Sequence, residues 1–424
     1  MKRYGLPFVV GVAVMLALSL GLSIPDASAQ AKLGITIQGL FTPGTNDLFK
    51  QQVQDWAKTK GVTAEVEFLT IDNLLPKAAV AAETGIGPDI ASFPHSGPNL
   101  LAEKLVDMDD IANELGSKLG GWLDVAKRVS VVGGHWKAVP YYAYINALVY
   151  RRDLIQEIAN DKVPDIWEDV VRIGKKLRPM GHPVGFALGH ATGDASDFVY
   201  SLLWAYGAKE VEKDEKTIAI NSPETKKGLE FIARLYKEAM PPGVLGWDDS
   251  SNNRMFLAGV LSVTNNSASI YWATRRDAPA LRANTGHAIY PKGPAGRAHH
   301  TGVYGFGVFK YSKNLELAKD LIRYLMAPEQ YAKWLESGEG NMTPLLSTYA
   351  GLPIWTKDPN LTAFAEALKY ARAIGWPGGV TRAAAEVNAK FILVDMAARV
   401  AKGMPAQKSI DQAVSEMKEI YARH

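Results

Sequence analysis

Residues 33–68, LGITIQGLFTPGTNDLFKQQVQDWAKTKGVTAEVEF, decide the fold class. Leu33-Gly34-Ile35-Thr36-Ile37 reads as a buried strand, and Gly39 to Thr45 reads as the loop leaving it. Asn46 and Asp47 are residues that cap helices, and Phe49, Val53 and Trp56 then recur at helical spacing. Gly61 supplies the stop. Beyond it Val62, Ala64, Val66 and Phe68 alternate as a half-buried strand. Strand, helix and strand in that order form a βαβ unit, which predicts an α/β sheet. The pattern continues with a helix over Pro76–Thr84, a strand over Asp89–Phe93 and a helix over Asn99–Lys104.

Further along, Asn314 is placed to cap a helix carrying Leu317, Leu321, Ile322 and Leu325. Pro328 opens another that buries Tyr331, Trp334 and Leu335. Two helices split by Gly403 and Pro405 close the chain, the second burying Ile410, Ala413, Val414, Met417 and Ile420. The Gly/Pro-rich stretch Pro291–Gly296 reads as a linker or turn between domains.

At the N-terminus, Lys2 and Arg3 precede an uncharged run from Tyr4 to Pro25, and Ala27-Ser28-Ala29 follows as a small-x-small cleavage signal. Residues 1–29 are therefore expected to be a signal peptide, placing the mature chain in the periplasm from Gln30. No cysteine follows the run, which argues against a lipid anchor. Losing Lys2, Arg3 and Asp26 lowers the formal charge from +3 to +2, a balance that speaks against a nucleic-acid groove or polybasic patch. Zero cysteines exclude disulfides, thiolate metal sites and cysteine nucleophiles. About 395 mature residues exceed what one core usually serves, so two domains are expected.

Several phrases now stand in one order. They are Gly87-Pro88-Asp89-Ile90 with Leu100–Asp109, Val139-Pro140-Tyr141 through Leu148-Val149-Tyr150-Arg151-Arg152-Asp153-Leu154, Val163–Asp169, and Met255–Val260. Together they resemble the extracellular solute-binding proteins of ABC importers, in particular the carbohydrate-type family that includes maltose-binding protein. Arg151-Arg152 stands where that family usually has Asn-Lys, and Ile166 where it has Thr. The resemblance implies an α/β, two-lobe periplasmic-binding-protein fold with three interlobe crossovers and a ligand cleft between the lobes. It places residues 30–141 with 293–342 in the first lobe, and 142–292 with 343–424 in the second. It also implies capture of a small carbohydrate or polyol by lobe closure, without chemistry on it. Delivery would be to permease subunits with their cytoplasmic ATPase, by a monomer that needs no cofactor.

A sugar site needs aromatic faces for C–H surfaces and polar side chains for hydroxyls. The loop Phe93-Pro94-His95-Ser96-Gly97 follows the carboxyl end of a strand, where α/β folds hold ligands. Phe93, His95 and Ser96 are candidates there, with Gln38 and Phe41 after the first strand. In an extended first crossover Tyr142 and Tyr144 share one face, and the resemblance gives Tyr144 a ligand contact. It gives the same to the loop holding His190 and Asp194, with Asp197 read as a helix N-cap, and to Asn266. Tyr304 is a further candidate. Trp376, in the turn Gly375–Gly379, reads as a stacking ring, Trp247, in a loop with Asp248 and Asp249, as a weaker candidate, and Arg382 as a partner for a hydroxyl or carboxylate that more readily forms a surface ion pair. His299-His300 lack a carboxylate nearby in sequence and read as solvated turn residues, so no metal site is expected.

Two other functions fit less of the chain. A phosphate or acidic solute would want converging cations, and only Arg275-Arg276, read as helical and exposed, stand together. A polysaccharide-degrading enzyme would need paired carboxylates, for which Asp194 with Asp197 and Asp248 with Asp249 are available. No nucleophile elbow, HExxH or phosphate loop occurs.

Overall fold

The computed structural model describes residues 31–159 and 162–424, so the expected signal peptide lies outside the described residues. Strand β1 (Lys32–Gln38) buries Leu33, Ile35 and Ile37 and pairs in parallel with β2 (Thr63–Leu69). Helix α1 (Pro43–Lys60) connects them. Its Phe49, Val53 and Trp56 are buried as their spacing demands, each stabilising by roughly 1.5–3 kcal/mol. Gly61 ends it at φ 64°, the left-handed region that suits glycine.

The helix starts earlier than the sequence suggested. Thr42 flanks it, Pro43 opens it, and Asn46 spends its side-chain amide on both backbone groups of Leu40. Helix α2 (Ile71–Thr84) likewise begins before Pro76, which lies inside it. After β3 (Ile90–Pro94) the expected helix breaks into α3 (Gly97–Leu100) and a 3-10 turn at Ala102–Lys104. Strand β4 (Val139–Ile145) joins the same sheet.

The chain then builds a second sheet from β5 (Ala147–Arg151), β6 (Val184–Gly185), β7 (Val263–Asn266) and β8 (Thr285–Ala288), ordered β8-β5-β7-β6. Helices α4 (Trp167–Leu177), α5 (Asp194–Ala205) and α6 (Pro223–Ala239) pack around it. The stretch Pro291–Gly296 is the turn that returns the chain to the large sheet, closed by bonds between Gly293 and Gly296.

The return strand β9 (His299–Val308) is buried along its whole length and pairs antiparallel with both β3 and β4. This corrects the reading of His299 and His300, which are buried strand residues: long, glycine-bearing and without polar alternation, β9 carries no turn chemistry at its start. Helices α7 (Leu315–Leu325) and α8 (Pro328–Ser337) cover the large sheet and bury the expected faces. Short β10 (Ala371–Arg372) adds to β9. Helices α9 (Arg382–Ala389), α10 (Ile392–Ala401) and α11 (Ala406–Tyr421) follow, with α10 and α11 packed on α6. Among the described residues no helix is long and apolar enough to cross a membrane.

Candidate ligand-binding cleft

A narrow cavity of about 60 Å³ lies between the two sheets. Its walls are ends of elements: Gln38 and Phe41 after β1, Ile71 at the start of α2, and His95 after β3. From the other side come Asp194 and Asp197 on α5, Asp249, and Asn266 and Ser267 at the end of β7. Strand carboxyl ends leave backbone and side chains free of the ladder, which is why such clefts form there.

The back wall is aromatic. The register sets Tyr304 opposite Tyr142, and Gly302 opposite Tyr144. Tyr142 and Tyr304 stack at 4.7 Å and 6°, while Tyr144 meets Tyr304 edge-on at 5.5 Å and 88°. Tyr142 donates its hydroxyl to Gln38 Oε1 (3.1 Å), and Asn341 Nδ2 donates to the Tyr144 hydroxyl (3.4 Å). Burial pushes the Tyr144 hydroxyl up, so it stays protonated.

His95 has φ 47°, which breaks the alternation that would place it with Phe93 and turns its ring into the cleft. Gly302 makes the space: a Cβ there would come within 2.8 Å of His95 Cε1. Both His95 ring nitrogens are buried without a hydrogen-bond partner, and burial lowers its pKa to about 4. The neutral ring therefore presents one donor and one acceptor. His300 lies 5.5 Å away, centroid to centroid, and is held neutral by burial and by His95.

Three carboxyls face this wall. Asp194 accepts from Asn146 Nδ2 (3.3 Å) through Oδ1, while its Oδ2 has no hydrogen-bond partner. Burial, then Asp249 and Asp197, push its pKa well up. Asp197 accepts from Tyr290 and from Asn265 Nδ2 (3.2 Å), and burial lifts it to about 7. It sits inside α5, not at its N-cap, because the helix already begins at Asp194 after Gly193. Asp249 accepts the backbone N–H groups of Gly193 (2.9 Å) and Asp194 (2.7 Å), anchoring the positive end of α5; burial raises it to about 6 against those bonds. Asn266 is fixed by Asn253 and by Ser269 Oγ, which donates to its Oδ1 (2.8 Å).

A second chamber of about 520 Å³ shares Ile71 and His95 with the first and takes in Ser96 and His190. His190 stacks on Phe391 (4.6 Å, 4°) and reaches Asp395 Oδ1 at 2.8 Å. Across this chamber Thr192 Oγ1 donates to Asp72 Oδ1 (2.6 Å).

The structure thus gathers Gln38, Phe41, His95, Tyr144, Asp194, Asn266 and Tyr304 around one cavity, with Ser96 and His190 beside it. Four candidates lie elsewhere. Phe93 is fully buried against Phe309, in room left by Gly97 and Gly307. The Trp247 ring fills the space over Gly185, whose Cβ would meet it at 2.6 Å, so it packs the second sheet. Trp376 is half-buried beneath Arg372, 4.4 Å over its ring, and lines surface hollows away from the cleft. Arg382 is exposed and sits 3.9 Å from Glu103, an ion pair worth little. Sequence reasoning did not choose Asn146, Asp197, Asp249, Ser267 or His300 for the cleft. Asn146, a polar residue directly after the tyrosine strand, and Asp249, in a loop already noticed, carried a readable signal; buried His300 carried none.

A sequence model of the family described as bacterial extracellular solute-binding protein matches residues 51–363. A Deinococcus radiodurans protein named as a probable ABC transporter-binding protein is 22% identical over 345 residues, covering 78% of this chain and 80% of its own. A binding protein of Brucella abortus is 24% identical over 331 residues, 74% and 76% of the two chains. Among solved structures, maltose-bound MalE3 of T. maritima superposes with TM-score 0.79 at 20% identity, over 92% of this chain and 99% of its own. A Thermotoga lettingae solute-binding protein with tagatose gives 0.80 at 19% (92% and 99%), and one from Agrobacterium radiobacter with ribitol gives 0.76 at 21% (92% and 98%). These likenesses establish the two-lobe α/β fold.

Proposed function

Since the chain belongs to the bacterial extracellular solute-binding proteins, we propose that it is the receptor of an ABC importer and captures a small carbohydrate or polyol in the interlobe cavity. The observation that carries this reading is the cavity itself: tyrosine faces on one wall, and on the others imidazole, amide and carboxyl groups, among which both ring nitrogens of His95 and one oxygen of Asp194 are buried without a hydrogen-bond partner. Hydroxyls would satisfy those groups, and leaving them unpaired costs about 1–3 kcal/mol each. The sugar, ketose and polyol named with the superposed structures, and the transporter named with the Deinococcus relative, support the same reading.

In this proposal the lobes are residues 30–141 with 293–342 and 142–292 with 343–424, the pairing of β4 extending the first sheet to Ile145. Solute bridges them and favours the closed arrangement, in which Thr192 reaches Asp72. The closed form docks on permease subunits in the periplasm and acts as a monomer. No chemistry on the solute is needed, and Asp249 is committed to the end of α5.

The test is to purify the mature protein from its host, denature it, and identify released small molecules by mass spectrometry. Melting is then repeated with the identified solute. At a hundred times its dissociation constant the solute should add roughly 2.7 kcal/mol of stability. Recovery of an intact sugar or polyol that raises the melting temperature is expected. Hydrolysed or eliminated products would contradict the receptor role.

A further inference from the structure

Both chambers of the cleft are acidic and hold no counter-charge. Asp194, Asp197 and Asp249 line the first and Asp72 the second, whereas among the described residues no lysine or arginine lines either. The histidines do not compensate: burial keeps His95 and His300 neutral, and His190 is paired with Asp395. Independently of the acids, the unpartnered nitrogens of buried His95 face the same cavity and ask for a ligand with both donor and acceptor groups.

We infer that the solute selected by this cleft is a hydroxylated amine, an amino-sugar or amino-polyol bearing a positive charge, and not a neutral sugar or an acid. The inference rests on the receptor reading above and narrows its substrate class. Asp194, with a buried carboxyl oxygen left open, is the group that receives the ammonium, and Asp197 and Asp249 supply the surrounding field. The hydroxyls face His95, Asn266 and the tyrosine wall. A metal ion does not fit the same acids: among the described residues the only trio with ligand atoms within 4.8 Å of one another is Asp107, Asp109 and His135, none of which lines the cleft. Solutes carrying phosphate or carboxylate would place a further acid beside these carboxyls, with no lysine or arginine lining either chamber among the described residues to offset it.

In the solute-free protein burial holds Asp197 and Asp249 partly protonated near neutral pH, at about 7 and about 6, and Asp194, pushed well up by burial and by Asp249 and Asp197, holds its proton more firmly. The other groups around them are the phenols of Tyr144, Tyr290 and Tyr304, neutral His95 and His300, and the acids Asp72 and Asp248. An arriving cation lowers these carboxyl pKa values, so binding releases protons.

The test is calorimetric titration at pH 6.5 with six probes: glucosamine, glucose and glucuronate, and open-chain glucamine, sorbitol and gluconate. Each triplet compares an amine, a neutral and an acid. The amine should bind at least tenfold tighter than its neutral counterpart, weaken as salt is added, and release protons in buffers of differing ionisation enthalpy. Asp194→Asn should lower the amine-to-neutral ratio; proton release in the unaltered protein stands as the second readout. A neutral or acidic probe binding as tightly as the amine would overturn this inference and leave the receptor reading intact. No binding by any probe, with no solute recovered from the denatured protein, would overturn both.

Discussion

His95 shows how much of the site is decided by single backbone and side-chain choices. Its positive φ separates it from Phe93, so one residue of the loop enters the cleft and its near neighbour enters the core. Gly302 opposite Tyr144 is the matching choice, because any side chain there meets the imidazole. Gly302→Ala should therefore displace His95 and weaken solute binding by roughly tenfold, the scale of one buried polar group left unpaired. The solute-free protein should melt within a few degrees of the parent, since the atom contacted is the end of a side chain that can shift. Titration calorimetry beside thermal melting reads both; unchanged affinity would remove His95 from the site.

At the scale of elements, the loop joining α5 to α6 and the turn before α9 are tied through Glu210. This buried carboxyl accepts the backbone N–H groups of Gly375 (2.8 Å) and Trp376 (3.3 Å). Burial lifts its pKa to about 8, against about 4.3 in an unfolded chain. The folded state thus holds a proton that the unfolded state has lost. The stability from this group is fully present below about pH 4.3 and is lost as pH rises through about 8. Glu210→Gln should show no such loss, so its melting temperature relative to the parent should climb between pH 5 and pH 9; a flat difference would contradict the assignment. Buried His95, His287 and His299 titrate with the opposite sign, which is why the variant-minus-parent difference is the quantity to follow.

The same scale explains what could be read from the sequence. Helices with a clean period, such as α1, α7 and α8, were legible because one face of each is buried and the other is not, whereas β1, buried on both faces over most of its length, was legible as a short apolar run. The shared face of Tyr142 and Tyr144 was legible from strand alternation alone, although β4 is buried on both faces, and its crossover position followed from the family resemblance. Helix starts were less so: Asn46 carries cap chemistry, but its amide is used by Leu40, and α2 runs through Pro76. The burial of His299 and His300 was hidden because their cover comes from segments distant in sequence or from tertiary packing: both pair with β10, His300 packs on Tyr200 and His299 on Tyr290. Trp376 misled because two arginines cover its ring, Arg372 from just before it in sequence and Arg128 by tertiary contact.

For the whole molecule, the two lobes meet at a cleft spanned by Thr192 to Asp72, Ser267 Oγ to Asn341 Oδ1 (2.7 Å) and Arg128 to the Gly378 carbonyl (3.5 Å). Such polar contacts are each small, so closure depends on solute filling the space between them. Because the chain has no cysteine, two introduced ones can be labelled without background. Exposed Val80 on α2 and Lys390 after α9 flank the second chamber, each next to a residue that lines it, and belong to opposite lobes in the proposed division. The most direct test of lobe closure is the distance between nitroxides at Val80→Cys and Lys390→Cys, measured by pulsed electron spin resonance with and without a solute that raises the melting temperature. A broad or longer distribution that collapses to one short distance on adding solute is the result expected. A distribution unchanged by a bound solute would contradict capture by closure.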